Sequence, residues 1–156
     1  IDKFSKIFDA HWINFFGKKI GIKSTKTSDK VLIQELLGIM EKDKLDFTLT
    51  FSSLKEFVSG QKFLDSKSKS QSIAHVSNSK NISNWLTKWK KRLLIENSSL
   101  KDKQTLLSVS NPSIIPRNHL VEEAINYALE NNMDKFNLLL KHLRKPYHSQ
   151  KKSKKI

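Results

Sequence analysis

Residues 111–147 read NPSIIPRNHLVEEAINYALENNMDKFNLLLKHLRKPY, a stretch that predicts two helices joined by a short turn. Apolar residues recur at helical spacing over about 117–130 and again over about 133–144. Asn131 and Asn132 between them predict a tight turn, and Pro146 ends the second helix because proline cannot continue one. The stretch therefore predicts an αα-hairpin. Its inward side chains are predicted to be Leu120, Val121, Ala124, Ile125, Ala128, Phe136, Leu139, Leu140 and Leu143.

The beginning of this stretch combines two prolines with the polar triplet Arg117, Asn118 and His119. Two interpretations are open: a ligand site, or a structural join in which Pro112 and Pro116 stiffen the connection and begin a helix. We favour the structural join. In that interpretation Asn111 caps or turns the chain, and the side chains after Pro116 tie the helix start to neighbouring carbonyls or carboxylates.

Helical spacing also governs the chain before this stretch and predicts an all-α fold of about seven helices. A first helix carries a wide aromatic stripe and is expected to end at Gly17 and Gly21. A second helix is expected over about 29–42, with Ser28 or Asp29 as its N-cap. The aromatic stripe consists of Phe4, Ile7, Phe8, His11, Trp12, Phe15 and Phe16, and the inward residues of the second helix are Leu32, Leu36, Leu37 and Met40.

Residues 46–58 admit two interpretations, because their first apolar residues alternate as in a strand while the whole set also fits one helix face. Asp46 is a good N-cap, so we predict a helix. Two more helices are predicted, one over 82–95 and a shorter one that begins at Ser99 with a capping box. The inward residues of these three helices are Phe47, Phe51, Leu54 and Val58, then Ile82, Trp85, Leu86, Trp89 and Leu93, then Leu106, Leu107 and Val109.

Composition divides the chain into four parts. Residues 1–58 form a helical segment, and 59–81 are rich in Ser and Lys and predict a long flexible loop. Residues 82–147 form a second helical subdomain, and 148–156 form a disordered basic tail.

The net charge of +14 raises the question of a nucleic-acid partner. The positive charge comes from 26 Lys and only 3 Arg, whereas phosphate and base recognition favours the guanidinium group. We therefore interpret most of the lysines as a solvated surface. The alternative is a small basic helical module that binds nucleic acid or an anionic membrane through Trp85, Trp89 and the lysines beside them.

The sequence predicts no catalytic, cofactor-binding or metal-binding residue. The five histidines lack ligand spacing, and His119 and Glu123 at i,i+4 are typical of a surface pair. The four glycines are isolated, so they form no phosphate-binding loop, and no stretch approaches the roughly 20 apolar residues of a membrane span. His11 is predicted to lie in the core or at its boundary because it belongs to the aromatic stripe.

Several segments, in order along the chain, resemble the C-terminal region of the selenoprotein O family. That region reads N-P-x-x-x-x-R-N-x-L, a helix, a short turn, and L-x-x-L-R-x-P followed by Tyr or Phe. FFGKKIGI (15–22), the segment 32–54 and NWLTKWKKRL (84–93) are similar to further family segments, although Ser52 stands where Arg is usual. The hairpin residues that match are Asn111, Pro112, Arg117, Asn118, Leu120, Leu140, Leu143, Arg144, Pro146 and Tyr147.

This resemblance implies a protein-kinase-like fold that binds ATP with Mg²⁺ and transfers AMP to Ser, Thr or Tyr of protein substrates. The family's catalytic residues lie in its N-terminal two-thirds, so none is carried over here, and the matched residues are expected to be structural. The resemblance implies a kinase-like domain as partner, and a cytoplasmic location in bacteria or a mitochondrial one in eukaryotes. We expect the aromatic stripe to contact that domain, because so large an apolar patch would be a liability on a free monomer. The chain is expected to be a piece of a longer enzyme or the product of a split gene.

Overall fold

The structure, a computed structural model, describes residues 2–58 and 80–147, which form seven α-helices and no strand. The predicted all-α class is therefore confirmed for this part of the chain. The helices are α1 (Asp2–Lys19), α2 (Asp29–Lys42), α3 (Phe47–Val58), α4 (Lys80–Leu94), α5 (Leu100–Ser110), α6 (Asn118–Leu129) and α7 (Asp134–Leu143).

The chain divides into two compact units between Asn111 and Pro112. In the first unit α2 packs on α4, α3 packs on α5, and α1 packs on both α2 and α5. Boundaries were predicted at 58 and 82, whereas this unit contains helices from both sides of 59–79. The loop predicted over 59–81 lies outside the described residues except for Lys80 and Asn81, which are the first residues of α4.

Two tryptophans of α4 form the centre of the first unit. Trp85 and Trp89 are almost fully buried, and their rings stack with centroids 5.5 Å apart. Their indole N–H groups donate to Leu32 O at 2.8 Å and to Ile20 O at 2.7 Å. A buried indole N–H needs an acceptor, so these bonds hold α4 against α2 and against the end of α1.

The end of α1 differs from the prediction. The helix continues through Gly17 to Lys19, because Gly17 lies buried against Thr25, where a Cβ would collide with the threonine methyl group. Gly21 has φ of +78°, and the Ile22 N–H donates to Gly17 O at 2.8 Å. Gly21 therefore ends the helix as predicted, whereas Gly17 is a close-packing position inside it.

The predicted caps of α3 and α5 are confirmed, and Ser28 occupies the predicted N-cap position of α2. Asp46 Oδ1 accepts from Leu49 N at 2.8 Å at the start of α3, and Ser99 and Asp102 form the predicted capping box of α5. Ser28 makes no side-chain bond at the start of α2. The adjacent Asp29 instead binds groups outside its own helix, since Lys26 N donates to its Oδ2 at 2.7 Å.

The second unit is the helix hairpin α6–α7, as predicted. Asn131 adopts the left-handed conformation with φ of +59°, and Asn132 Oδ1 accepts from Asp134 N at 2.9 Å. Asparagine tolerates this conformation better than most residues, which accounts for the Asn-Asn turn. Ser113 before α6 is joined to Pro146 after α7, because the Ser113 N–H and hydroxyl donate to Pro146 O at 2.8 and 3.0 Å.

The predicted inward residues of α2 and α4 are confirmed as buried or partly buried, whereas several predicted elsewhere are exposed. His11 is also exposed, which contradicts its predicted core or boundary position. These errors share one cause: an apolar stripe shows which residues lie on one face of a helix, but not which of them contact another helix. The exposed members are Phe4, Ile7, Phe8 and Phe15 of α1, Phe47 of α3, Val109 of α5, Ile125 of α6 and Phe136 of α7.

Two glycines offer a matched test of the backbone. We expect Gly21→Ala to lower the free energy of unfolding by about 1 kcal/mol or more, because alanine is strained at positive φ. We expect Gly38→Ala to raise it by about 0.5–1 kcal/mol, since Gly38 lies inside α2. Nothing lies within 4 Å of a Cβ at position 38. Urea denaturation measures both, and effects of the same sign would contradict this interpretation.

Candidate interaction surface on the first helix

The first helix carries large apolar side chains on a side that the other described helices of its unit leave exposed. Phe4, Ile7, Phe8 and Phe15 are 73%, 48%, 54% and 60% exposed. Their spacing of three, four and seven residues places them on one side of α1, which we call the outer face, together with the exposed His11. The Phe4 and Phe8 rings stack with centroids 6.2 Å apart, so their apolar surfaces are continuous.

The opposite side of α1 is already used for packing. Ile13 and Ile20 are buried, and Trp12 and Phe16 pack against the core. The Phe16 ring lies 6.1 Å from the Phe51 ring of α3. The helix is therefore apolar on two sides, of which the described residues of this unit bury one. A contiguous exposed apolar face of this kind marks an interaction surface in soluble proteins.

The C-terminal end of α1 is fixed by a buried lysine. Lys19 is 7% exposed, and its Nζ donates to Asn111 Oδ1 at 3.1 Å and to Ser110 O at 3.2 Å. The Asn111 amide donates in return to Lys19 O at 2.8 Å. We call this reciprocal pair of residues the Lys19–Asn111 clasp. It joins positions 92 residues apart in sequence.

Three aromatic rings surround the ammonium group of Lys19. Its Nζ lies 5.6, 5.5 and 5.1 Å from the ring centroids of Phe15, Phe47 and Phe51. Burial lowers the pKa of Lys19 below its ordinary value of 10.5. Cation–π attraction and the two oxygen acceptors compensate for lost hydration of the ammonium group. Phe15 thus belongs to both the outer face and the surroundings of the clasp.

The clasp predicts a specific loss of stability. We expect Asn111→Ala to lower the free energy of unfolding by about 2–3 kcal/mol, because the buried Lys19 carbonyl loses the Asn111 donor and the buried ammonium loses one of its two oxygen acceptors. Chemical denaturation measures the change. Asn126→Ala, at an exposed position of α6, is the control and should change stability by no more than about 0.5 kcal/mol. A similar small effect of Asn111→Ala would contradict the role of the clasp.

A second buried polar contact joins α2 to α4. Arg92 Nε and Nη2 donate to the two Asp29 carboxylate oxygens at 2.7 and 3.0 Å. The guanidinium also donates to Glu96 Oε1 at 3.0 Å and to Ser24 O at 3.0 Å. Burial raises the pKa of Asp29, but bonds from Arg92 and from Lys26 N lower it more, so that it lies below its ordinary value of 3.8. The pair is nearly closed to water, since side-chain exposure is 13% for Arg92 and 3% for Asp29.

The lowered pKa gives a pH-dependent prediction. The ionised Asp29 stabilises the fold above pH 3.8, and this contribution is lost as the pH falls through the lower value of the folded state. We expect Asp29→Asn to lower the free energy of unfolding by about 3 kcal/mol at neutral pH, because it takes from the nearly buried Arg92 guanidinium the carboxylate that accepts two of its N–H groups and leaves Glu96 to balance its charge. The difference from the unsubstituted chain should shrink as the pH falls below 3.8.

Asp9→Asn is the control, since the Asp9–Lys30 pair at 2.7 Å is 46% and 33% exposed. It should cost less than about 1 kcal/mol. Denaturation at several pH values measures both variants. A constant difference between Asp29→Asn and the unsubstituted chain at all pH values would contradict the ionic role of Asp29.

The residues singled out in the opening stretch fall into both units. Asn111 is buried in the clasp, whereas Arg117 is the N-cap residue of α6 without a side-chain cap bond. Asn118 and His119 are exposed, and Glu123 pairs with Lys135 at 2.9 Å rather than with His119. Arg144 is the exposed C-cap residue of α7, Pro146 accepts from Ser113, and Tyr147 is 51% exposed. Among these residues Asn111 is the buried one, and it joins the ends of α5 and α1 through Lys19.

The two tryptophans do not fit the nucleic-acid alternative. Stacking on bases requires exposed ring faces, but Trp85 is 1% exposed and Trp89 is fully buried. In the described residues no three His, Cys, Asp or Glu side chains come together as metal ligands. None of the described helices is long and apolar enough to span a bilayer.

Sequence reasoning missed Lys19 and Arg92 as structural residues. It treated the lysines as a solvated surface, and nothing local to Lys19 predicts an acceptor as remote as Asn111. One signal was present for Arg92: it is one of only three arginines, and it follows the buried Trp89 at i,i+3. Such a residue lies beside the apolar stripe and is well placed for a partly buried ion pair.

Comparisons with known proteins assign the chain to a class. The family model described as "Protein adenylyltransferase SelO" matches residues 1–144. The chain belongs to this family of protein adenylyltransferases, as the resemblance to selenoprotein O indicated.

Several similar bacterial proteins carry the same name. A protein nucleotidyltransferase YdiU of Clostridium perfringens strain SM101 is 38% identical over 147 residues, which is 94% of this chain. The protein of the same name from Pelagibacter ubique is 35% identical over 147 residues, and that of Bacillus cereus strain G9842 is 37% identical over 151 residues. This chain spans 28% of the length of each of these relatives.

Proposed function

We propose that this chain is the C-terminal helical part of a SelO-type protein adenylyltransferase and that the outer face of α1 binds the kinase-like remainder of the enzyme. The chain acts as a packing platform, and the remainder transfers AMP from ATP to Ser, Thr or Tyr of protein substrates. The observation that carries the proposal is the outer face itself, with its exposed Phe4, Ile7, Phe8 and Phe15.

Two findings support this assignment. The relatives are more than three times as long as the matched segment, which is 28% of their length, so such an enzyme has a large partner region available for the outer face. The Lys19–Asn111 clasp holds the C-terminal end of α1 against α5, so the helix presents its outer face from a fixed base. Fixing an interface helix before it binds reduces the entropy lost on association.

The proposal places ATP and Mg²⁺ in the remainder of the enzyme, as the family resemblance implies. The described residues do not fit a Mg²⁺ site, because no three of their His, Asp or Glu side chains converge, and Asp9, Asp29 and Glu35 lie in separate ion pairs. The contribution of this chain is therefore to hold the catalytic part in shape.

The first expected result is that the isolated chain does not transfer AMP. Incubation with labelled ATP and Mg²⁺ or Mn²⁺ should leave both the chain and an added protein substrate unlabelled. The positive comparison is a chimaera of the Clostridium perfringens relative in which residues 1–147 of this chain replace the matching segment. The chimaera should retain nucleotidyl transfer, and labelling by the isolated chain would contradict the proposal.

Substitutions in the chimaera test the outer face. We expect Phe4→Glu with Phe8→Glu to lower the rate of transfer by about tenfold or more, because charges replace the apolar centre of an interface. The same double substitution should leave the melting temperature of the isolated chain unchanged, since both rings are more than half exposed there.

Val31→Glu is the matched control. Val31 is 61% exposed on α2, outside the outer face, and its substitution should leave transfer by the chimaera within about twofold of the unsubstituted rate. Full activity of the Phe4 and Phe8 double variant, or an equal loss with Val31→Glu, would contradict a specific role of the outer face.

A further inference from the structure

A second apolar surface lies in the first unit where α3 and α4 end and α5 begins. It forms a groove with a volume of about 420 Å³. Phe57 and Leu93 form its buried floor, whereas Leu94 and Leu100 are 82% and 51% exposed. The lining residues are Phe57, Val58, Lys90, Leu93, Leu94, Leu100 and Lys103.

The groove is built from ordinary helix spacing and one cap. Lys90, Leu93 and Leu94 lie on one side of α4 at i, i+3 and i+4, and Leu100 and Lys103 lie on one side of α5 at i and i+3. The capping box between Ser99 and Asp102 fixes the start of α5, with Asp102 N donating to Ser99 Oγ at 3.1 Å. The backbone positions of Lys90 and Lys103, on the two sides of the groove, are therefore fixed by their helices.

The charge of the groove has one sign. Two lysines and no carboxylate line it. Two acidic residues in the chain from the end of α4 to the first turn of α5 are engaged elsewhere: Glu96 accepts from Arg92, and Asp102 accepts from Ser99. An apolar floor with a positive rim is complementary to a segment whose large apolar side chains are flanked by carboxylates.

We propose that this groove binds an acidic amphipathic segment of a partner protein. The apolar side chains of that segment would cover Leu94 and Leu100, and its carboxylates would pair with Lys90 and Lys103. This binding is independent of AMP transfer and of the outer face of α1, since the two surfaces share no residue.

Charge also argues against two other occupants. Residues 59–79, which follow Val58 in the sequence, contain three lysines and one aspartate, so their net charge has the same sign as the groove. A second copy of this chain carries a net charge of +14 and is repelled in the same way. An acidic partner is attracted by both the groove and the whole chain.

The test measures binding of designed peptides to the 156-residue chain. The probe is a fluorescein-labelled amphipathic peptide of Leu and Glu at helical spacing. One comparison peptide carries Lys in place of every Glu, and the other has the acidic composition in scrambled order. Fluorescence anisotropy should show binding of the acidic amphipathic peptide only, weakening as salt rises from about 50 to about 300 mM.

Matched variants locate the site. We expect Lys90→Glu with Lys103→Glu to weaken binding about tenfold or more, whereas Lys91→Glu with Lys101→Glu makes the same charge change outside the groove and should weaken it no more than about twofold. Leu94→Glu should also weaken binding about tenfold, and the control Leu129→Glu should not. Leu94 and Leu129 are 82% and 79% exposed, so neither substitution affects the core.

Four outcomes would overturn the inference. Equal losses of binding in the groove and control variants would show that net charge alone attracts the peptide. Equal binding of the basic peptide would show that apolar contact alone holds it. Groove-dependent binding of laurate or of phosphatidylglycerol vesicles without binding of the acidic peptide would make the occupant a lipid. Binding by the isolated chain that is lost in the Clostridium perfringens chimaera would show that the remainder of the enzyme covers the groove. Retained binding in an inactive chimaera would support the inference while the proposed function fails.

Discussion

The Lys19–Asn111 clasp is the constraint on which the arrangement of the first unit depends. A lysine at a helix end normally keeps its charge in water, but here Nζ is buried between Asn111 Oδ1, Ser110 O and the aromatic rings of α1 and α3. Because the asparagine also donates to Lys19 O, each residue satisfies a polar group of the other. The end of α1 is thereby fixed to the end of α5, and Trp89 holds the next residue, Ile20, from the other side.

Fixing this end determines which sides of α1 are covered. Trp12, Ile13 and Phe16 face the core once the helix axis is set, and Phe4, Phe8 and Phe15 stay exposed in the described part of the unit. An aromatic stripe wider than one contact therefore becomes two surfaces, one buried and one exposed. The same division explains why Phe15 is exposed although its ring lies beside the buried ammonium group.

Sequence patterns predicted the class of fold, most helix limits and the αα-hairpin, because these depend on local spacing and on the residues at helix ends. All five residues that they predicted to face inward on α4 are buried, because its apolar residues other than Leu94 fall on one side of the helix. The patterns failed where a contact joins distant positions, as in the pairing of Asp29 with Arg92. They also failed at Gly17, which reads as a helix end but is required by the close approach of Thr25.

The stretch that begins NPS spans the division between the two units, which gives its adjacent residues different tasks. Asn111 ends α5 with extended backbone and belongs to the first unit through Lys19. Two residues later Ser113 belongs to the second unit, because its N–H and hydroxyl donate to Pro146 O beyond α7. Pro112 lies between these two anchored residues and restricts the backbone there. Asn111 and Ser113 thus complete hydrogen bonds at the ends of the two units, whereas Asn118 and His119, two residues of the triplet that suggested a ligand site, are exposed.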